Sequence, residues 1–152
     1  MDKIIVFGSY PKSFINFRLK LLVQLKQLGH EVIAISPFDN LVKAELTKHG
    51  IQFIDLNLVR VGKNPFKDLL ILIRLFFIFK RLKPDIVIPY TIKPIFYTGL
   101  LNFYFKYKNY PLITGLGSAF YSTNLNRFIK LILKTLYKIS LYHSQTIFFQ
   151  NK

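Results

Sequence analysis

The chain of 152 residues is long enough for one domain that buries roughly 68–70% of its unfolded surface. With 51% apolar and 16% aromatic residues it is not a disordered chain, and without cysteine it can hold neither a disulfide nor a thiolate metal site. Its 22 Lys and Arg against 7 Asp and Glu, a net charge of +15, point to an anionic partner: nucleic acid, a membrane surface or a phosphorylated substrate.

Lys3 to Phe7 is a continuous apolar run, the pattern of a strand buried on both faces. Met1-Asp2-Lys3 leads straight into it without a small-residue cleavage pattern, so no secretory signal is predicted. The loop Gly8 to Ser13 follows. A helix is predicted from Phe14 to Leu28, with Phe17, Leu21, Leu25 and Leu28 facing the core and Gly29 closing it. Glu31 to Ser36 is the second strand, stopped by Pro37. Asn40 is placed to cap a short helix ending at His49-Gly50.

Ile51 to Leu56 is the third strand. Asn64-Pro65 opens a long helix to Leu82, with proline near its first position. Its most apolar run, Leu69 to Phe79, contains Arg74 and falls short of the about 20 residues that a membrane-spanning helix needs. Ile86-Val87-Ile88 is the fourth strand, Ile95 to Tyr107 a helix, and Leu112 to Thr114 the fifth strand. A helix capped by Thr123 or Asn124 runs to Tyr142, and Thr146 to Phe149 is the sixth strand. Strands alternating with helices predict an α/β fold, a Rossmann-like doubly wound parallel sheet of about six strands with helices on both faces. The order 3-2-1-4-5-6 follows from short linkers and right-handed crossovers.

In such a sheet ligands bind at the carboxyl ends of the strands. The loop after the first strand precedes a helix N-terminus, which favours an anion, and Ser9 and Ser13 add hydroxyls. It carries neither the three-glycine dinucleotide fingerprint nor a P-loop; the plain alternative is an ordinary strand–helix turn. Gly115 and Gly117, with Ser118, let the backbone approach a ligand closely, though glycine-rich loops are common. Thr91 and Lys93 follow the fourth strand; Lys93 is placed to bind phosphate or to lie solvated. Arg18, one residue after Phe17, either contacts a ligand or fixes the first loop.

On the last helix Arg127, Lys130, Lys134 and Lys138 fall within an arc of about 80°, with Phe128, Ile129, Ile132, Leu136 and Ile139 opposite, toward the core. Leu131, Leu141 and Tyr142 lie near the basic arc, which suits an anionic bilayer or a solvated amphipathic helix. The three histidines lack metal-ligand spacing and the 7 carboxylates offer no obvious acid/base couple. No catalytic residue and no metal site is predicted.

Thr91-Ile92-Lys93-Pro94-x-x-Tyr97-x-Gly99 followed by Ile113-Thr114-Gly115-Leu116-Gly117-Ser118-x-Phe120 resembles the N-terminal domain of bacterial family 4 glycosyltransferases, in the branch that builds capsule, O-antigen and lipid-linked oligosaccharides. Asn16-Phe17-Arg18-Leu19, Gly29-His30-Glu31-Val32 and Phe148-Phe149-Gln150-Asn151-Lys152 resemble the same branch. The resemblance implies one half of a GT-B fold over residues 1–152, without the C-terminal donor domain and its paired glutamates. It implies a retaining sugar transfer with no cofactor, a nucleotide-sugar being the donor substrate of the complete enzyme, and inactivity of this half alone. Ser9, Ser13, Arg18, Thr91, Lys93, Gly115, Gly117 and Ser118 would line the acceptor side of the cleft.

The implied partners are a lipid-linked or polysaccharide acceptor, an anionic membrane surface and a separate donor-domain chain. The implied location is cytoplasmic, peripheral on the inner face of the plasma membrane. The competing reading is a non-enzymatic basic Rossmann-like module for an anionic membrane or nucleic acid. No helix-turn-helix, zinc finger or RNP-like strand supports a specific nucleic-acid partner.

Overall fold

The computed structural model describes residues 1–58, 65–115 and 127–150, with only the backbone of 127–130 and 133. Strands β1 (Lys3–Phe7), β2 (Glu31–Ser36), β3 (Gln52–Asp55), β4 (Ile86–Pro89) and β5 (Lys108–Asn109) form a sheet of order β3-β2-β1-β4-β5. Every pairing is parallel. This is the Rossmann-like order, with β1 and β4 at its centre.

The sixth position takes a different form from the one predicted. The fifth strand starts earlier, at Lys108, and is interrupted before β6 (Leu112–Ile113), which pairs in parallel with β7 (Phe148–Phe149). Pro111 lies at the break, and it has no N–H to give to a ladder. The extended path nonetheless continues along the sheet. Tyr110 N–H donates to the Val87 carbonyl at 2.9 Å, Leu112 bridges Tyr90, and Phe148 N–H donates to the Pro111 carbonyl at 2.9 Å.

The period of two along β1 decides the layers. Ile4 and Val6 face α1 (Leu19–Gln27) and α2 (Asn40–Lys48), where Leu22, Val42 and Leu46 complete a core. Ile5 and Phe7 face α3 (Pro65–Leu82) and α4 (Ile92–Phe105), packing with Ile71, Leu75, Phe79, Tyr97 and Leu101. A third cluster, Ile95, Ile113 and Tyr137, joins α4 to α5 (Arg127–Leu141).

Several boundaries and faces differ from the sequence reading. The first helix begins as a π-helical turn, Phe14–Arg18, before α1. A π turn carries extra residues, so it rotates the face that follows. Phe14 and Leu22 are therefore the fully buried residues, while Phe17 is 66% and Leu28 74% exposed. Asp39, not Asn40, caps α2: its carboxylate accepts from the Leu41 and Val42 N–H groups at 3.0 and 3.1 Å. Helix α4 starts three residues earlier than predicted, because Pro94 sits in its first turn, where a missing N–H is harmless.

Helix α5 does not bury Ile132 and Ile139, which are exposed; it buries Tyr137 and Ser140. Phe128 and Ile129 lie outside the described side chains. The cause is Gly99 on α4. A Cβ there would stand 2.2 Å from the Ser140 carbonyl oxygen, so the two helices cross backbone against backbone and Ser140 must face inward. Gly99→Ala is expected to lower stability by about 1–3 kcal/mol, the range for overpacking a tight contact. Urea denaturation of the two proteins measures it; an unchanged midpoint would show that the crossing adapts freely.

Candidate functional site

The site is built where β1 and β4 end side by side. A Cβ on Gly8 would lie 2.1 Å from Cζ of Tyr90, so the ring occupies the space that any side chain at position 8 would need. Tyr90 is fully buried, packs edge-on against Phe14 at 5.4 Å and shares a 2.9 Å hydrogen bond with the Ser13 hydroxyl. The Arg18 guanidinium lies 5.3 Å from the Tyr90 ring centroid, within cation–π range. The π turn puts Arg18 there: it is the last residue of that turn, on the side away from the core.

Above this layer lies a cavity of about 240 Å³ lined by Tyr10, Ser13, Phe17, Arg18, Tyr90, Thr91, Thr114 and Gln150. Arg18 donates from Nη2 to Oε1 of Gln150 at 2.6 Å and from Nη1 to the Phe17 carbonyl at 3.3 Å. Thr91 has φ 70° and ψ 156°, a region that residues other than glycine adopt at about 1–3 kcal/mol of strain and that clusters at ligand sites. Two contacts with Ser9 accompany that conformation. The Ser9 and Thr91 hydroxyls share a 2.8 Å bond, and Ser9 N–H donates to Thr91 Oγ1 at 3.3 Å.

Of the residues singled out in the sequence, Ser13, Arg18 and Thr91 line the cavity, and Ser9 braces Thr91 from beneath. Lys93 does not join them. It sits in the first turn of α4 with Nζ 2.7 Å from Oδ1 of Asp68, and Tyr97 donates to the same oxygen at 2.7 Å. Lys93 thus ties α4 to the first turn of α3 rather than offering a free cation. Gly115 has φ 152° and open space around its α-carbon; Gly117 and Ser118 lie outside the described residues. Lys134 and Lys138 are exposed on α5, and the side chains of Arg127 and Lys130 are outside those described.

Sequence reasoning missed Tyr10, Phe17, Tyr90, Thr114 and Gln150 as lining residues. Helical period assigns Phe17 to the core, and the π turn releases it. Tyr90 ends an apolar strand, and nothing in its neighbours announces that its hydroxyl reaches Ser13. Several carboxylates serve the scaffold. Asp85 accepts from Lys3 N–H at 2.7 Å, Asp39 caps α2, and Glu45 is held below its usual range by Lys48. None lines the cavity.

A three-layered α/β/α domain with its cavity at the carboxyl edge of a parallel sheet defines the class: a Rossmann-like domain of the kind that forms the N-terminal half of a GT-B fold. The family described as glycosyl transferase 4-like matches residues 4–151, and the chain belongs to it. Among curated proteins none matches the chain. The fold is shared with a glycosyltransferase from Rickettsia africae at 24% identity and TM-score 0.63, covering 97% of this chain and 42% of that one. MurG of Acinetobacter baumannii is similar at 15% identity and TM-score 0.63, over 97% of this chain and 40% of its own. The UDP-GlcNAc 2-epimerase of Neisseria meningitidis, solved with UDP-GlcNAc, is similar at 19% identity and TM-score 0.64, over 97% and 39%. The chain therefore spans about two fifths of the length of these structures.

Burial raises the Tyr90 phenol well above its ordinary value of about 10, with Ser13 and Arg18 offsetting part of the rise; burial also raises Tyr97 and Tyr107. The unfolded chain ionises these phenols near pH 10 while the folded chain keeps them neutral. Stability is thus full below about pH 10 and falls above it, by up to about 1.4 kcal/mol per pH unit for each such tyrosine. Tyr90→Phe is expected to lose about 1 kcal/mol at neutral pH and to show a shallower fall above about pH 10. Denaturant titrations across that range measure it; equal slopes for both proteins would contradict the burial of the phenol.

Proposed function

We propose that this domain is the acceptor-binding side of a retaining glycosyltransferase, one that extends a lipid-linked or cell-surface polysaccharide precursor with a sugar from a nucleotide-sugar. The observation that carries the reading is the cavity at the ends of β1 and β4 in a chain of this family. Its lining is hydroxyl, aromatic and guanidinium, groups that orient a sugar without doing acid/base work on it. On this reading the donor sugar-nucleotide is bound by a second Rossmann-like domain, in the same polypeptide or on a separate chain. The domain alone orients the acceptor and does not transfer.

The same reading places the domain on the inner face of the plasma membrane, in envelope polysaccharide synthesis. What supports it is a face of α3 that the fold leaves outward. Phe66, Leu69, Leu70, Ile73 and Phe77 are all exposed, at a spacing of three to four residues. Lys67, Arg74, Lys80 and Arg81 lie among them. Apolar side chains set among cations suit the interface of an anionic bilayer. Among the described residues no helix is long and apolar enough to cross a membrane. The Asp68–Lys93 ion pair ties the start of α3 to the first turn of α4. Lys134 and Lys138 on α5 add positive charge to the domain, with Leu131, Ile132, Ile139 and Tyr142 exposed in the same region.

Sedimentation with lipid vesicles tests the reading. Binding is expected to anionic vesicles, to fall with salt and to rise when the vesicles carry a polyprenyl-diphosphate-linked sugar. Phe77→Ser with Ile73→Ser is expected to weaken it by about tenfold or more, the loss of two buried apolar side chains. Equal binding to plain and sugar-bearing vesicles would contradict the acceptor role. Preferential, steeply salt-dependent binding to duplex DNA would favour a basic nucleic-acid module instead.

A further inference from the structure

Arg18 is out of balance with its surroundings. Its guanidinium is always charged, yet among the described residues it forms no ion pair, and no carboxylate lines the cavity it enters. Its two bonds go to neutral oxygens, the Gln150 amide and the Phe17 carbonyl. Its Nε–H is buried and meets no acceptor among the described residues. Among the described residues its two hydrogen bonds leave three of its five N–H groups unspent. A half-buried cation held only by neutral partners is a receptor for an anion, and a guanidinium suits the paired oxygens of phosphate or carboxylate. The Gln150 amide can turn to present its NH₂ to the same anion.

The rest of the cavity specifies what carries the charge. Phe17 is 66% exposed at its wall and Tyr10 40% exposed beside it, so two aromatic rings face the space above the guanidinium. Aromatic faces of this kind cover the apolar face of a sugar ring. Thr91, held in its strained backbone by Ser9, adds a hydroxyl to the lining. The volume, about 240 Å³, is below the roughly 300–1,000 Å³ of sites that enclose a drug-sized ligand. One sugar ring with its charged substituent suits it better than a whole sugar nucleotide.

We infer that this cavity takes an anionic saccharide, its phosphate or carboxylate held by Arg18 and its ring laid against Phe17. The inference rests on the reading of the cavity as the acceptor side and narrows the acceptor to one that presents a negative charge next to the sugar. It also assigns Arg18 a binding role that its neutral neighbours do not require.

The test is a titration of the chain, followed by NMR at low ionic strength, with glucose 1-phosphate, glucuronate, glucose and inorganic phosphate as probes. Glucose 1-phosphate is expected to bind at least about tenfold tighter than glucose, the difference a charge-assisted pair makes. Binding by glucuronate as well assigns the site to either anion; binding by glucose 1-phosphate alone assigns it to phosphate. Arg18→Gln is expected to remove the difference from glucose, and Arg18→Lys to restore it in part. Lys43→Gln, an equal loss of charge on α2, is expected to leave it intact. Should Arg18→Gln fail to fold, Phe17→Ala decides: it should weaken glucose 1-phosphate and leave inorganic phosphate unchanged. Equal binding of glucose and glucose 1-phosphate would overturn the inference while leaving an acceptor site for neutral sugars. Inorganic phosphate binding as tightly as glucose 1-phosphate would overturn the saccharide. No binding by any probe would overturn the inference and leave the vesicle result to decide the reading beneath it.

Discussion

Everything at the carboxyl edge of this sheet depends on one steric fact: the ring of Tyr90 fills the place of a side chain at position 8. Gly8 ends β1 and Tyr90 follows β4, the two central strands. With glycine at 8 the ring lies flat over the turn, buries completely and turns its hydroxyl to Ser13. Ser13 directly precedes the π turn, and that turn delivers Phe17 and Arg18 to the cavity. A substituent at position 8 would have to lift the ring, and the floor of the cavity would go with it.

A second constraint shapes the other half. Gly99 lets α4 and α5 cross in backbone contact, which turns Tyr137 and Ser140 inward and leaves Ile132 and Ile139 outside. The Thr91–Gly99 stretch therefore divides by purpose. Thr91 serves the cavity. Lys93 and Tyr97 converge on Asp68 to anchor α3, and Gly99 sets a helix crossing. Burial and the Asp68 bond both disfavour ionisation of Tyr97, so the phenol stays a donor to the carboxylate and the anchor holds across the neutral range.

The fold was legible in the sequence because it is written in periods: buried strands as unbroken apolar runs such as Lys3–Phe7, helices as amphipathic stretches with Gly29 and Gly50 behind them, both at positive φ. The site was legible in part. Arg18, Ser13 and Thr91 could be placed at the carboxyl edge by counting from the strands. The lining contributed by Phe17 could not, since an α-helical period assigns it to the core and only the π turn reverses it. Position alone leaves Lys93 either to bind phosphate or to lie solvated, and the structure pairs it with Asp68, a carboxylate twenty-five residues earlier in the chain. Long-range pairing of that sort leaves no trace in local pattern. The outward face of α3 was ambiguous for the same reason, because apolar residues all round a helix read alike whether buried or presented to a bilayer.

On the proposed reading, the outward face of α3 meets the bilayer while the acceptor reaches Arg18 and Thr91 at the carboxyl edge of the sheet. The most direct measurement is a map of amide chemical shifts on adding a water-soluble, short-chain isoprenyl diphosphate that carries one N-acetylhexosamine. The account expects the shifts to concentrate at Tyr10 to Arg18, Tyr90, Thr91, Thr114 and Gln150, with a second, weaker group along α3. Shifts confined to α3 and α5, with the cavity silent, would mean that the domain holds lipid and charge alone, and the acceptor-site reading would be wrong.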